Sequence, residues 1–135
     1  MIDTMMRQSV RERAGDRCEY CRLPQSGHFI PFELDHVVSR QHGGGDEAGN
    51  LAMACLRCNR QKGPNVASID EEGRAVLLFN PRQQRWSEHF LYDQASASIV
   101  GLTPEGRATV RLLSMNDEDY LLLRQSLSEE GVGFP

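Results

Sequence analysis

Residues 33–63 of the chain read ELDHVVSRQHGGGDEAGNLAMACLRCNRQKG. Within this stretch an acidic residue, Asp35, stands beside a histidine, His36. Two asparagines, Asn50 and Asn59, and one lysine, Lys62, follow, together with three consecutive glycines and two cysteines. We interpret the rest of the chain as support for this segment.

The local pattern predicts the order strand, loop, strand, helix. Residues 32–38 are a β-prone run, and Leu51 to Ala54 is a second short apolar run. The glycine-rich residues 43–46 between them favour a flexible loop. From Leu56 the composition is helical for about two turns, until Gly63 and the proline after it end the helix.

The predicted helix and strand each divide their side chains between two faces. Asn59 and Lys62 are three residues apart and share a helix face, whereas Cys58 points elsewhere. In a regular strand Asp35 and His36 point to opposite sides. Both reach one site only if the strand ends or twists there, and the polar residues 39–41 favour an end.

All four cysteines occur in two C-x-x-C pairs, Cys18/Cys21 and Cys55/Cys58. This spacing favours a tetrahedral zinc site, in which a closed four-sulfur shell makes the metal structural. The alternatives are two disulfides, which an intracellular location disfavours, and a redox-active pair, which the presence of two pairs disfavours. A zinc ion here would clamp the N-terminal cysteine knuckle to the start of the predicted helix and hold Asn59 in place.

Together these residues resemble the HNH endonuclease motif, whose fold is called ββα-metal or His-Me finger, in a small bacterial type with a four-cysteine zinc site. The resemblance implies that His36 is the general base, Asp35 and Asn59 are ligands of a catalytic divalent metal, and Asn50 is the central asparagine that fixes the loop. The third motif residue is asparagine instead of histidine, as in many members of the family. A neutral amide oxygen suits magnesium or manganese better than zinc, so these are the expected catalytic metals. Residues 78–110 also resemble the C-terminal part of small bacterial HNH proteins.

The motif predicts a separate role for each of its residues in phosphodiester hydrolysis. An imidazole, with an ordinary pKa of about 6.5, can take a proton from the attacking water at neutral pH. A metal on Asp35 and Asn59 would act as Lewis acid and template. We expect the Asn50 amide to bond back across the loop to the backbone near His36. The candidate substrate contacts are Lys62, Arg57, Arg60 and His42.

Composition sets the broad class. The 135 residues predict a single domain, made of a zinc-stapled core at 1–64 and an extension at 65–135 that packs on it. Apolar runs such as residues 75–79 are too short to span a membrane, and the chain is expected in the cytoplasm. The net charge of −4 is uneven: residues 1–64 carry nine basic and eight acidic side chains, and residues 65–135 carry six and eleven. Nine basic side chains in the first half could form one positive surface, or they could be an ordinary solvated face.

The extension is predicted to add a strand, a hairpin and C-terminal helices, which makes the fold class α+β. An aromatic group that includes Trp86 and Phe90 is interpreted as core in preference to a base-stacking surface. The predicted elements outside the motif are a helix at 5–14, a strand at 74–79, a hairpin that pairs 89–92 with 99–102, a helix capped by Thr103, and a last helix from near Asn116 to before Gly131.

The predicted function is a divalent-metal-dependent HNH endonuclease that hydrolyses DNA and carries one structural zinc. A non-catalytic, zinc-stapled module that binds nucleic acid or protein is the alternative, and an RNA-directed nuclease is a third reading. The nuclease and the binding module can be distinguished by Asp35, His36 and Asn59, because a binding module does not need these three residues together.

Overall fold

The structure, a computed structural model that describes residues 2–134, is mixed α+β, as predicted, and its strands there form three two-stranded antiparallel hairpins. None of the helices in this range combines the length and the apolar character that crossing a membrane requires. In chain order the elements are α1 (Thr4–Arg13), β1 (Glu33–His36), β2 (Leu51–Ala54), α2 (Leu56–Lys62), β3 (Ala67–Ile69), β4 (Ala75–Leu77), α3 (Trp86–His89), β5 (Phe90–Asp93), β6 (Ser98–Gly101), α4 (Pro104–Leu112) and α5 (Glu118–Glu129).

The first hairpin and the helix after it form the predicted strand, loop, strand, helix unit. β1 pairs with β2 so that Asp35 lies opposite Ala52 and His36 opposite Leu51. All four residues of β2 are buried, so this strand is the centre of the core. β1 is shorter than predicted and ends at His36, because the side chain of Asn50 replaces a strand partner at Val38.

Both ends of α2 follow from its sequence. The Cys55 side chain caps the start by accepting a hydrogen bond from the backbone N–H of Cys58, at 3.5 Å. Gly63 follows the last helical residue with a φ of 53°, a conformation that glycine adopts without strain. The second cysteine pair is therefore built into the first turn of the helix.

α1 packs on β2 and starts one residue earlier than predicted. Asp3 caps it by accepting a hydrogen bond from the N–H of Met6, and Val10 turns its side chain into the core. Near its end Arg13 donates hydrogen bonds to the carbonyl groups of Ala48 and Leu51, at 2.9 and 2.5 Å. These bonds fix the helix to the start of β2.

The extension contains most of its predicted elements and two that were missed. β5 and β6 form the predicted hairpin, with Phe90 opposite Gly101, and α4 starts after the Thr103 cap as expected. The missed elements are β3 and α3, which have three and four residues. Such short elements carry too few residues for a periodic pattern.

The extension is seated on the first cysteine knuckle. Trp86 Nε1 donates a hydrogen bond to the carbonyl of Tyr20 at 2.7 Å, and Arg82 forms an ion pair with Glu19. Trp86 and Phe90 are buried, which confirms the interpretation of these aromatic residues as core. The single-domain organisation stays a prediction, and these contacts support it.

Candidate metal centre and active site

The four cysteines meet at one buried point. Their Sγ atoms all lie within 4.8 Å of one another, and Cys21 Sγ is 3.7 Å from Cys55 Sγ. A tetrahedral zinc ion with Zn–S bonds of about 2.3 Å places its sulfurs about 3.8 Å apart. All four cysteines are free of disulfides. The buried cluster therefore suggests a structural zinc site.

Hydrogen bonds among the four sulfurs shift the pKa values of the thiols in opposite directions. Hydrogen bonding with Cys18 raises the pKa of Cys21 and Cys58, and hydrogen bonding with the same thiol lowers the pKa of Cys55. One thiolate, that of Cys55, is thus stabilised by the other sulfurs. Further negative charge at this buried point needs a compensating cation, which a divalent metal supplies.

The two residues between the first pair of cysteines reach both strands of the hairpin. Glu19 exchanges two hydrogen bonds of 2.8 Å with Met53 of β2, one through its backbone N–H and one through its carboxylate. Tyr20 donates its hydroxyl proton to Asp35 Oδ2 on β1, at 2.7 Å. The knuckle therefore holds Asp35 directly, through a contact that the sequence pattern did not predict.

Asp35 is buried and is paired with Lys62. The residues are 4% and 1% exposed, and Lys62 Nζ lies 3.1 Å from Asp35 Oδ2 and 3.4 Å from Oδ1. The same ammonium donates to the carbonyl of His36 at 3.1 Å. Burial raises the pKa of the Asp35 carboxyl, while Lys62 and Tyr20 act in the opposite direction. A positive charge thus already sits beside the predicted metal ligand.

A hard divalent cation fits these residues in type. Asp35 offers a carboxylate oxygen, and Asn59, half-buried one turn before Lys62 on α2, offers an amide oxygen. The Asn59 side chain makes no hydrogen bond within residues 2–134, and the Lys62 ammonium shows that the place beside Asp35 takes positive charge. In that same range, the four cysteines form the one cluster of three or more His, Cys, Asp or Glu ligand atoms close enough to share a metal. A second metal would therefore have few protein ligands and would keep several waters.

His36 contacts the loop and not Asp35. Its Nε2 lies 2.7 Å from Asp46 Oδ1, and both oxygens of Asp46 accept hydrogen bonds from Arg40 Nη2 at 2.8 Å. Hydrogen bonding with His36, and then with Arg40, holds the pKa of Asp46 well below its usual range. A carboxylate only accepts hydrogen bonds, so Nε2 is the donor, and in the neutral ring Nδ1 carries the lone pair.

Asn50 ties the loop to the end of β1. Its amide donates to the carbonyls of Val38 and Gly45, at 2.8 and 2.9 Å, and its oxygen accepts from the Val38 N–H at 2.9 Å. Gly44 allows this arrangement, because a Cβ there would lie 1.7 Å from the Val38 oxygen and 2.8 Å from the Asn50 amide nitrogen. The asparagine and the glycine together define the loop that carries Asp46.

The four candidate substrate contacts differ in whether their side chains are exposed or already paired within the protein. Arg60 and His42 are exposed, and within residues 2–134 their side chains form no ion pair or hydrogen bond. Arg57 is instead paired with Asp117 and Asp119 at the start of α5 and lies over the Tyr120 ring at 4.6 Å, while Lys62 is buried against Asp35. Arg57 and Lys62 are thus engaged by acids of the protein, and the roles of all four residues as substrate contacts stay predictions.

A family comparison covers this region. Residues 18–65 match the family model described as HNH endonuclease, and the matched segment holds both cysteine pairs, the hairpin and α2. The chain contains an HNH endonuclease domain. The HNH domain spans about a third of the chain, and its family implies nucleic acid as the general class of substrate. The curated proteins and the solved structures gave no match.

Two residues of the HNH domain were missed as parts of the site. Asp46 was interpreted only as part of a turn, and Tyr20 only as a spacer between cysteines. The acid directly after the glycines was a usable signal, because a loop that returns to the end of β1 brings its charged residue to His36. The catalytic and metal-binding roles of Asp35, His36, Asn50 and Asn59 stay predictions.

Proposed function

We propose that the chain is a divalent-metal-dependent nuclease that hydrolyses phosphodiester bonds, with DNA as its substrate. The observation that carries the proposal is the His36–Asp46 pair at the end of β1, 2.7 Å between Nε2 and Oδ1. A histidine whose one nitrogen is held by a carboxylate is fixed in tautomer and orientation, as a general base requires. The HNH family match supports the substrate class.

His36 would take a proton from the attacking water at Nδ1. The resulting imidazolium would be stabilised by the Asp46 carboxylate, which Arg40 holds in place. Asn50 would keep the loop, and with it Asp46, at a fixed distance from β1. In this mechanism Asp46 and Asn50 position the reacting histidine and do not contact the phosphate.

Asp35 and Asn59 would hold the divalent cation. When bound, the cation supplies Lewis-acid stabilisation of charge at the phosphate. Tyr20 would fix the carboxylate of Asp35 from the side of the zinc knuckle. Arg60 and His42, both exposed, are the proposed contacts to the nucleic-acid backbone.

A plasmid-nicking assay tests the proposal. Purified protein of measured zinc content is incubated with supercoiled DNA, with magnesium, manganese or EDTA, and His36→Ala is compared with His28→Ala. His28 is the matched control because it is a histidine of the connector before β1. Nicking that needs the metal and is lost only in His36→Ala supports the proposal.

One observation favours the alternative of a non-catalytic binding module. Asp35 is paired with Lys62 and is not open to solvent. Wild-type protein that binds DNA but never cleaves duplex, nicked or single-stranded DNA, or RNA, would favour this alternative.

A further inference from the structure

Lys62 is the only lysine among the 15 basic Lys and Arg residues of the chain. It lies in the last turn of α2, and it is among the largest side chains that are fully buried. Every other cationic side chain of this kind is an arginine. Lys62 is therefore both the single lysine of the chain and one of its most deeply buried charged side chains.

The Lys62 ammonium replaces solvent with three oxygen contacts. They are the two carboxylate oxygens of Asp35 and the carbonyl of His36, at 3.1 to 3.4 Å. A buried charge is tolerated only when it is paired in this way. The contacts close the Asp35 carboxylate, since Tyr20 also donates a hydrogen bond to Oδ2.

A lysine suits this place for a reason that an arginine does not share. An ammonium is a compact, strongly hydrated point charge on a flexible four-carbon stem, whereas a guanidinium makes rigid two-pronged pairs with carboxylates. A lysine can therefore leave the carboxylate in one step and regain water. Lys62 also lines a cavity of about 1000 Å³ with Val37, Val38 and exposed His42, so space for the released ammonium lies next to it.

A divalent cation and the Lys62 ammonium compete for Asp35. Both are positive, and a cation bound to the carboxylate would stand within a few ångströms of the ammonium in a buried environment. Like charges at such distances repel strongly where the dielectric constant is low. Cation binding at Asp35 would therefore disfavour the present position of Lys62.

We propose that Lys62 is a cation-displaced latch, which closes Asp35 until a divalent cation binds and then moves into the cavity beside His42. The proposal rests on the proposed function in taking Asp35 as a metal ligand. In this cavity the Lys62 ammonium becomes a contact for a substrate phosphate. Metal binding then creates part of the nucleic-acid site, and by thermodynamic reciprocity nucleic acid tightens metal binding.

Lysine acetylation followed by peptide mass spectrometry measures the latch directly, because Lys62 is the only lysine. We expect Lys62 to be protected in EDTA and to react at least about 10-fold faster at saturating magnesium, within the range of ordinary site coupling. In Asp35→Asn the amine should react readily with or without magnesium. This measurement needs no nuclease activity.

Manganese binding, followed by electron paramagnetic resonance without DNA, separates the latch from the function it rests on. Lys62→Met should bind manganese at least about 10-fold more tightly than wild type, since the competing charge is gone. Arg60→Met, which removes an exposed positive charge two residues away on α2, is the matched control and should change the affinity far less. Asp35→Asn should abolish the site in both backgrounds.

The outcomes are distinguishable. Asp35-dependent manganese binding with Lys62 still protected overturns the latch and leaves the proposed function standing. Binding by Lys62→Met with no binding by wild type, even at the highest manganese concentration, overturns the latch, because the cation then never displaces the ammonium. No Asp35-dependent binding in either protein overturns the latch together with the metal-dependent function. If Lys62→Met does not fold, the acetylation of wild type and Asp35→Asn decides alone.

Discussion

At the scale of single residues, the pair of His36 and Asp46 links the loop to the proposed chemistry. His36→Ala should lower cleavage by about 10²- to 10⁴-fold, the usual effect of losing a general base. The zinc content and the thermal midpoint should stay near those of wild type, because the His36 side chain is partly exposed and Asp46 keeps its pair with Arg40. Cleavage at the wild-type rate in His36→Ala, with contaminating nucleases excluded, would contradict the assignment.

Asp46 gives a prediction about pH. Its carboxyl pKa is lowered in the folded protein, so its stabilising contacts are present above the ordinary aspartate pKa of about 3.9 and are lost only as pH falls through the lowered value. Titration of Asp46 should therefore cause no acidic limb of the cleavage rate above about pH 5, which a pH–rate profile of the wild type checks.

Asp46→Asn tests the role of Asp46. The variant removes the charge of the carboxylate that holds Nε2 of His36, so the maximal cleavage rate should fall. Cleavage rates measured at fixed ionic strength between about pH 5 and pH 8 check this effect. A wild-type rate in Asp46→Asn would mean that Asp46 does not act through His36.

At the scale of elements, the loop between β1 and β2 depends on Asn50 and on a glycine that has no room for a side chain. Gly44→Ala would force a Cβ against the Val38 carbonyl and disturb the Asn50 amide, leaving buried polar groups unpaired. Such groups cost about 1 to 3 kcal/mol each, so Gly44→Ala and Asn50→Ala should both lower the free energy of unfolding and the cleavage rate.

Gly49→Ala is the matched control for the loop prediction. A Cβ at Gly49 meets nothing within 4 Å, so this variant should unfold at nearly the wild-type denaturant concentration. If Gly44→Ala and Gly49→Ala lower the free energy of unfolding equally, the prediction is contradicted. The loop would then disfavour alanine for a reason other than the contact with Asn50.

The elements also show how far the sequence could be interpreted. The ββα unit was predictable because each of its features is local: two apolar runs, a glycine loop between them, and a glycine and a proline after the helix. The partners of Asp35 were not predictable, since Tyr20 and Lys62 lie 15 residues before it and 27 residues after it. Those contacts depend on how the knuckle and α2 pack on β1, and no periodic pattern encodes that packing.

At the scale of the whole molecule, the cysteine cluster joins the HNH domain to the extension. Trp86 in the extension is bonded to Tyr20 of the first knuckle, and the Tyr120 hydroxyl of α5 lies 3.5 Å from Cys55 Sγ. Structural zinc contributes about 10 kcal/mol or more to the folding of small domains. Cys55→Ser should therefore lose zinc and unfold both parts together.

Trp86 provides the measurement for this prediction, because it is the single tryptophan of the chain and lies in the extension. Its fluorescence and the far-ultraviolet circular dichroism should change in one transition in Cys55→Ser and in chelator-treated wild type. A native Trp86 signal after the loss of zinc would instead show that the extension folds independently, against the single-domain prediction.

Most basic side chains of the first half have partners within the folded chain. Of the nine basic side chains in residues 1–64, seven are engaged within the protein by acids, backbone carbonyls or aromatic rings, and Arg7 and Arg60 have no such partner within residues 2–134. The engaged ones are Arg11, Arg13, Arg17, Arg22, Arg40, Arg57 and Lys62. Over residues 2–134, acids neutralise only Arg11, Arg40, Arg57 and Lys62, so a positive surface in the first half stays a prediction.

This distribution predicts weak salt dependence for DNA binding. With about two or three phosphate contacts, the slope of log K against log salt should be near −2 to −3, at about −0.9 per contact on duplex DNA. Arg60→Met should reduce the slope by about one, whereas Arg11→Met, whose guanidinium lies 3.7 Å from Asp16, should leave it nearly unchanged. Fluorescence anisotropy in calcium or EDTA at several salt concentrations measures these slopes. A slope near −6 in wild type would contradict this prediction. It would show that arginines now paired within the protein leave their partners and contact phosphates when DNA binds.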